Sequence, residues 1–194
     1  MATTTLRKDA ARNWDRIVAV ARGMVDEGTP LQLNDVARRA GLGVGTVYRH
    51  FPTVEALLET VATPCLEALA AHGEAALSCA DPGRGLEEFL ARTVEAQVGD
   101  ASLAMVVAAP GEALARTTEL KRSIWSIGTA LLDRAAAAGA IRPDLTAADL
   151  VPIMCGIAYA AQLHGETPQD RITSARRYLT TFLEGFRAHP PKRS

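Results

Sequence analysis

The segment "LNDVARRAGLGVGTVYRHFP" (Leu33–Pro52) constrains the fold most, because it has room for two short helices and one tight turn. Leu33, Val36, Ala37 and Ala40 recur at helical spacing on one face, with Asn34, Asp35, Arg38 and Arg39 facing outward. Gly41 stops that helix. On the next one, Val47 and Phe51 point together toward a core and Val44 and Tyr48 flank them, while Gly45, Thr46, Arg49 and His50 lie opposite. Pro52 ends it, since the residue before a proline avoids the helical region. Thr53 is placed to cap a following helix whose stripe is Val54, Leu57, Leu58 and Val61. Upstream, "RNWDRIVAVARGMVDEG" reads as a longer helix with Trp14, Ile17, Val18, Ala21, Met24 and Val25 on one stripe, stopped at Gly28 and Pro30.

The glycines at 41, 43 and 45 admit two chemistries. A phosphate-cradling loop needs a preceding strand, so that it sits at the carboxyl edge of a sheet. Here a helix precedes it, and the Gly-Lys-Ser/Thr ending of a P-loop is missing. The other chemistry is a helix-turn-helix whose second helix offers a polar face to a DNA groove. In it Leu42 plugs the turn into the core, Gly45 lets the backbone come close, and Tyr48 holds a hydroxyl within reach of a phosphate. The competing reading of Thr46, Tyr48, Arg49 and His50 is a plain solvated face. A nucleotide-binding enzyme using residues 41–46 stays open as an alternative.

Charge supports a nucleic-acid partner without requiring one. Of the 194 residues, Met1–Pro52 hold eight Lys/Arg against five Asp/Glu, a balance of +3, leaving −4 for the rest of a chain whose total is −1. Hydrophobic residues at 48% and charged residues at 22% are ordinary for a globular chain of this length. Ala and Leu abound and no alternating β-branched run stands between turn signals, so no sheet is expected. Cys65, Cys79 and Cys155 are scattered and read as packed, reduced thiols, neither a disulfide framework nor a metal site. No apolar stretch follows Met1 and none reaches about 20 residues, so neither a secretory signal nor a membrane span is expected, and the cytoplasm is the expected compartment. No catalytic or metal-ligand motif is present, so an enzyme is not expected, and no cofactor.

The run "LNDVARRAGLGVGTVYRHFPTVEALL", preceded by "IVAVARGMVDEG", resembles the DNA-binding head of the tetracycline-repressor (TetR) family of bacterial transcriptional regulators, over roughly Arg12 to Val61. The resemblance implies an all-α chain: a three-helix head, residues 1–52, followed by a larger helical domain, residues 53–194, for ligand binding and dimerisation. It implies DNA contacts from Gln32, Leu33, Val44, Gly45, Thr46, Tyr48, Arg49 and His50. Arg49 holds a variable position suited to bidentate pairing with guanine. Arg7 and Lys8 are expected on a disordered arm, with backbone or minor-groove contacts competing against a solvated tail. Two departures stand out: Gly43 where Ser usually caps the recognition helix, and Val54 where a phosphate-binding Lys is usual.

Past Val61 the punctuation yields further helices. "PCLEALAAHGEAAL" precedes the break "CADPGRG", and "LEEFLARTVEAQV" carries Leu86, Phe89, Leu90 and Thr93 on a stripe. The stretch from Ala101 is broken at Pro110–Gly111 and stopped at Gly139. "TAADLVPIMCGIAYAAQLH" opens with a Thr146–Asp149 box and closes at Gly165, with Pro152 expected to kink it or delay its start. The last helix places Ile172, Ala175, Leu179, Phe182 and Phe186 on one face, and Lys192–Ser194 read as a frayed tail. The resemblance implies that the last two helices, rich in small residues (Gly156, Ala158, Ala160, Ala161), pair in a homodimer on a near-palindromic operator. It also implies an effector cavity, for which Phe89, Met105, Trp125, Met154 and Tyr159 are the lining candidates against ordinary core packing. His72, Gln97 and His164 are the candidate polar groups there, against surface positions. The function expected is a DNA-binding regulator, a repressor released by a small hydrophobic or amphipathic effector; an activator or architectural binder with the same head is the alternative.

Overall fold

The computed structural model describes residues 2–187, with side chains described from residue 8 onward. Among the described residues there are nine α-helices and no strand: α1 (Ala2–Asp26), α2 (Leu33–Ala40), α3 (Val44–His50), α4 (Val54–Leu77), α5 (Pro82–Gly99), α6 (Ala101–Ala108), α7 (Ala115–Ala137), α8 (Ala147–His164) and α9 (Pro168–Phe186). By compactness the chain divides into two units, Met1–Pro64 with Ala101–Thr117, and Cys65–Asp100 with Thr118–Ser194.

The first unit is built on a core of Ile17, Ala21 and Met24 from α1, Leu33, Val36 and Ala37 from α2, Val47 and Phe51 at α3, and Leu57 and Val61 from α4. Fully burying each of the larger of these side chains contributes about 1.5–3 kcal/mol, which is what holds helices as short as α2 and α3 in place. Leu42 and Val54 pack partly buried against the same cluster. Thr53 caps α4 as expected, its Oγ1 accepting from the Ala56 N–H at 3.1 Å.

The second unit has its core in Leu86, Phe89, Leu90 and Val94 of α5, Ile127, Leu131 and Leu132 of α7, Leu150, Met154, Ala158 and Ala161 of α8, and Ala175, Leu179 and Leu183 of α9, with Leu69 and Ala76 of α4. Gly73 is the close-approach point, since a Cβ there would stand 2.7 Å from Ile127 Cγ2 and 2.9 Å from Phe89 Cε2. Arg134 of α7 donates to the carbonyls of Leu77 and Cys79, satisfying acceptors that the end of α4 leaves without a helical partner. The Arg142 N–H donates to the Phe186 carbonyl at 2.8 Å, so the α7–α8 connection is clipped to the end of α9.

Three expectations are corrected. The arm expected at Arg7–Lys8 is backbone of α1, because no Gly or Pro interrupts the chain before Gly23. Lys8 is an exposed residue of that helix, while the Arg7 side chain lies outside the described residues. The segments either side of Pro64 form one helix, α4, and Pro152 does not delay α8, which starts at Ala147 behind its box. The tail expected at Lys192–Ser194 lies outside the described residues.

Candidate nucleic-acid interface

The turn before α3 is set by Gly41, whose φ of 61° and ψ of 37° are the left-handed conformation that a side chain disfavours. Its N–H donates to the Arg38 carbonyl at 3.2 Å and that of Leu42 to the Ala37 carbonyl at 3.0 Å, closing the end of α2. Three residues, 41–43, separate α2 from α3, and Gly43 opens α3 with no side-chain cap. The glycines thus serve a turn between two helices, with no sheet edge beside them among the described residues.

α3 is pinned from behind. Val47 is fully buried and Phe51 nearly so, with the Phe51 ring 6.2 Å from that of Trp14. The Phe51 N–H donates to the Val47 carbonyl at 2.8 Å and closes the helix against Pro52. What this leaves outward is Val44, Gly45, Tyr48 and Arg49, all exposed, with Thr46 and His50 half-buried at the edges. Arg49 folds back on its own helix, its Nε donating to the Gly45 carbonyl at 3.1 Å, and among the described residues it is in no ion pair that another partner would have to displace. Gln32 is exposed at the entry of α2, but the Leu33 side chain is buried in the core, so Leu33 has just its backbone to offer a ligand.

The other cations of this unit are disposed differently. Arg38 pairs with Asp35 at 2.8 Å and Arg39 with Glu27 at 2.6 Å, and the Arg39 hydrogen bond and charge draw the Glu27 carboxyl below its usual range. Arg22 turns inward, donating to the Val61 carbonyl and, at 3.2 Å, to Ser102 Oγ on α6. Arg12 reaches Asp9 at 3.4 Å across open solvent.

A residue that pattern reading passed over anchors the same unit. Glu59 of α4 is 3% exposed, and its carboxylate accepts the N–H groups of Ala113 at 2.6 Å and Leu114 at 2.9 Å. An acid set beside the apolar stripe of Leu57 and Val61 was the signal available. Its partners, more than 50 positions away, were not.

The five candidates for an effector cavity divide between the two units and between core and surface. Phe89 and Met154 are core residues of the second unit, Met105 is an exposed residue of α6 in the first, and Trp125 and Tyr159 are exposed on α7 and α8. A helical stripe marks which residues are apolar but not which of several helices, or solvent, each will meet. A cleft of about 370 Å³ at the start of α5, bordered by Asp81, Arg84, Ile141, Leu183 and Arg187, contains none of the five. Of the polar candidates, Gln97 is buried, His72 Nε2 is buried with no hydrogen-bond partner, and His164 is exposed and edge-on to Tyr178 at 6.5 Å. Among the described residues no cluster of His, Cys, Asp or Glu is arranged to hold a metal, and no helix is long and apolar enough to cross a membrane.

Comparison with known proteins matches residues 18–61 to the family described as bacterial regulatory proteins, tetR family, and residues 81–188, more than half of the chain, to the C-terminal domain of SbtR-like transcriptional regulators. An HTH-type transcriptional regulator of Staphylococcus aureus is 42% identical over 48 residues, which are 24% of this chain and 26% of that protein, so the chain matches about a quarter of such curated relatives. The crystal structure of a TetR transcriptional regulator from Streptomyces coelicolor is 32% identical with a TM-score of 0.58, over 91% of this chain and 99% of that one. FadR of Bacillus subtilis, solved in complex with stearoyl-CoA, is similar in fold, with 17% identity and a TM-score of 0.66 over 89% of this chain and 99% of that one.

Proposed function

The chain belongs to the tetR family of bacterial regulatory proteins, and from that premise we propose that it acts as a ligand-responsive repressor, binding a near-palindromic operator as a homodimer. That it is a DNA-binding transcriptional regulator follows from the family. The observation that carries the finer reading is the division of α3, with Val47 and Phe51 locked into the core, Val44, Gly45, Tyr48 and Arg49 exposed, and Thr46 and His50 at the edges of that face. In the major groove Arg49 exchanges the Gly45 carbonyl for a base edge, and Tyr48, Thr46 and His50 reach phosphates. Gln32 and the backbone of Leu33 add contacts at the entry of α2.

A second copy is favoured by α8. Val151, Cys155, Tyr159 and Leu163 fall four residues apart on one face, and Tyr159 and Leu163 are about two-thirds exposed in the single chain. Pairing these faces about a two-fold axis gives two recognition helices for two half-sites. Tyr159, first assigned to a cavity, belongs to this surface.

The effector is a hydrophobic or amphipathic small molecule taken up by the second unit. The unpartnered Nε2 of His72 and the buried amide of Gln97 supply polar handles in apolar surroundings, and the fold-related FadR of Bacillus subtilis was solved with stearoyl-CoA. Release follows if the effector binds better to a state whose two α3 helices no longer match the half-sites.

The test is selection of sequences from a random duplex pool by the purified protein at two salt concentrations. A palindromic motif is expected. Sequence-independent, salt-sensitive recovery would assign an architectural role instead. On the recovered duplex, Tyr48→Phe and Arg49→Ala are expected to weaken binding with fold and dimer intact; unchanged affinity in both would remove α3 from the interface.

A further inference from the structure

We propose that α1 carries a second DNA-contact element, a row of cations formed by Lys8, Arg12 and Arg16 that lies on the phosphate backbone beside the groove entered by α3. The proposal rests on the regulator reading and extends the interface to residues outside the helix-turn-helix. Positions four apart on a helix project one above another, so these three share a face over ~12 Å of α1. All three are exposed. The row ends on the recognition turn itself: Arg16 Nη2 lies 3.3 Å from where a Cβ of Gly41 would stand, so its guanidinium covers the residue that turns the chain into α3.

The disposition of charge singles out this row. Arg38 and Arg39 are matched by Asp35 and Glu27, and Arg22 is spent on Val61 and Ser102. Among the described residues Arg16 is in no ion pair, and Arg12 shares an open 3.4 Å pair with Asp9, both side chains more than half exposed, of the kind that trades readily for a phosphate. Asp15, the other acid of this stretch, stands 100° round the helix from Arg16. Like charges four apart repel on an isolated helix, so the row is unfavourable in the free protein and becomes favourable against a polyanion, where each neutralised phosphate releases counterions.

Phosphate contacts of this kind carry no sequence information, which fixes the experiment. The full-length protein and its Arg16→Gln, Arg16→Lys and Lys8→Gln/Arg16→Gln variants are titrated, across a salt series, with a duplex recovered by selection and with a scrambled duplex of equal length. Arg16→Gln is expected to lower affinity for both duplexes alike, roughly five-fold per head near 0.15 M salt, and to make the salt slope shallower by about 0.9 per head. Its Tm should be unchanged, the double variant should go further in the same sense, and Arg16→Lys should keep the wild-type slope. An unchanged slope in both glutamine variants overturns the proposal, including when affinity falls together with Tm, which would make Arg16 a brace of the turn. A selection in which the wild-type protein recovers no duplex at either salt would overturn the regulator reading, and this inference with it.

Discussion

A Cβ added at Gly45 would meet nothing within 4 Å, although the residue sits in a helix, where glycine costs about 1 kcal/mol relative to alanine. Nothing inside the chain asks for the missing side chain, so its use lies outside. Gly45→Ala is expected to raise the thermal midpoint while lowering affinity for the selected duplex, and a melt with a parallel titration separates the two. Glu59 is the opposite case, a side chain that the fold needs. Glu59→Ala would remove the buried carboxylate that accepts the N–H groups of Ala113 and Leu114 and is expected to cost on the order of 3 kcal/mol, checked by denaturant unfolding. Both residues show what a sequence displays at this scale. Gly45 was legible because an exposed helix position is defined by its neighbours three and four along. Glu59 was not, because its partners are set by the tertiary fold.

At the scale of elements, boundaries marked by local chemistry were legible to the residue. Gly41 and Pro52 bracket α2 and α3 where the pattern placed them, because a left-handed turn and a proline act within one or two residues. Where no breaker stands, as between Met1 and Gly23, the start of α1 was not legible. The caps of α8 and α9 are the same Thr-x-x-Asp device, read at Thr146–Asp149 and overlooked at Thr167–Asp170, where the Thr167 N–H donates to Asp170 Oδ2 at 3.1 Å and Thr167 Oγ1 accepts the Asp170 N–H at 3.2 Å. The Thr167 hydroxyl, which donates to Asp170 Oδ2 at 2.6 Å, and after it the Thr167 N–H hold the Asp170 carboxyl below its usual range. A carboxyl lowered on folding stabilises above its unfolded pKa of about 3.9, and that contribution is lost as pH falls through the lower folded value. Asp170→Asn is therefore expected to reduce Tm at pH 7 and to converge with wild type as pH falls below the carboxylate range; a gap that stays constant throughout would assign the box no charge dependence.

For the whole molecule, the absence of sheet and the helix-turn-helix followed from composition, periodicity and punctuation and the division into head and body from the family resemblance, whereas the destination of each apolar residue in the body followed from neither. Met154 and Tyr159 lie five residues apart on one helix, yet one is core and the other is two-thirds exposed, a distinction made by which neighbours α8 has. If the exposed face is the partner surface, Tyr159→Lys is expected to give a monomer by sedimentation, with operator affinity falling by orders of magnitude as the second half-site is lost. A variant that stays dimeric would place the two-fold elsewhere. The first unit has a further property, in that it is not continuous in the chain. Arg22 reaches Ser102 and Glu59 reaches Ala113 and Leu114, so the stretch 101–117 is part of the head's own architecture. A hybrid regulator made by grafting residues up to 64 onto a foreign body would carry a buried carboxylate and an inward arginine stripped of these partners. The transplantable module is two pieces of chain, and a graft that keeps this head's reading of DNA has to bring both.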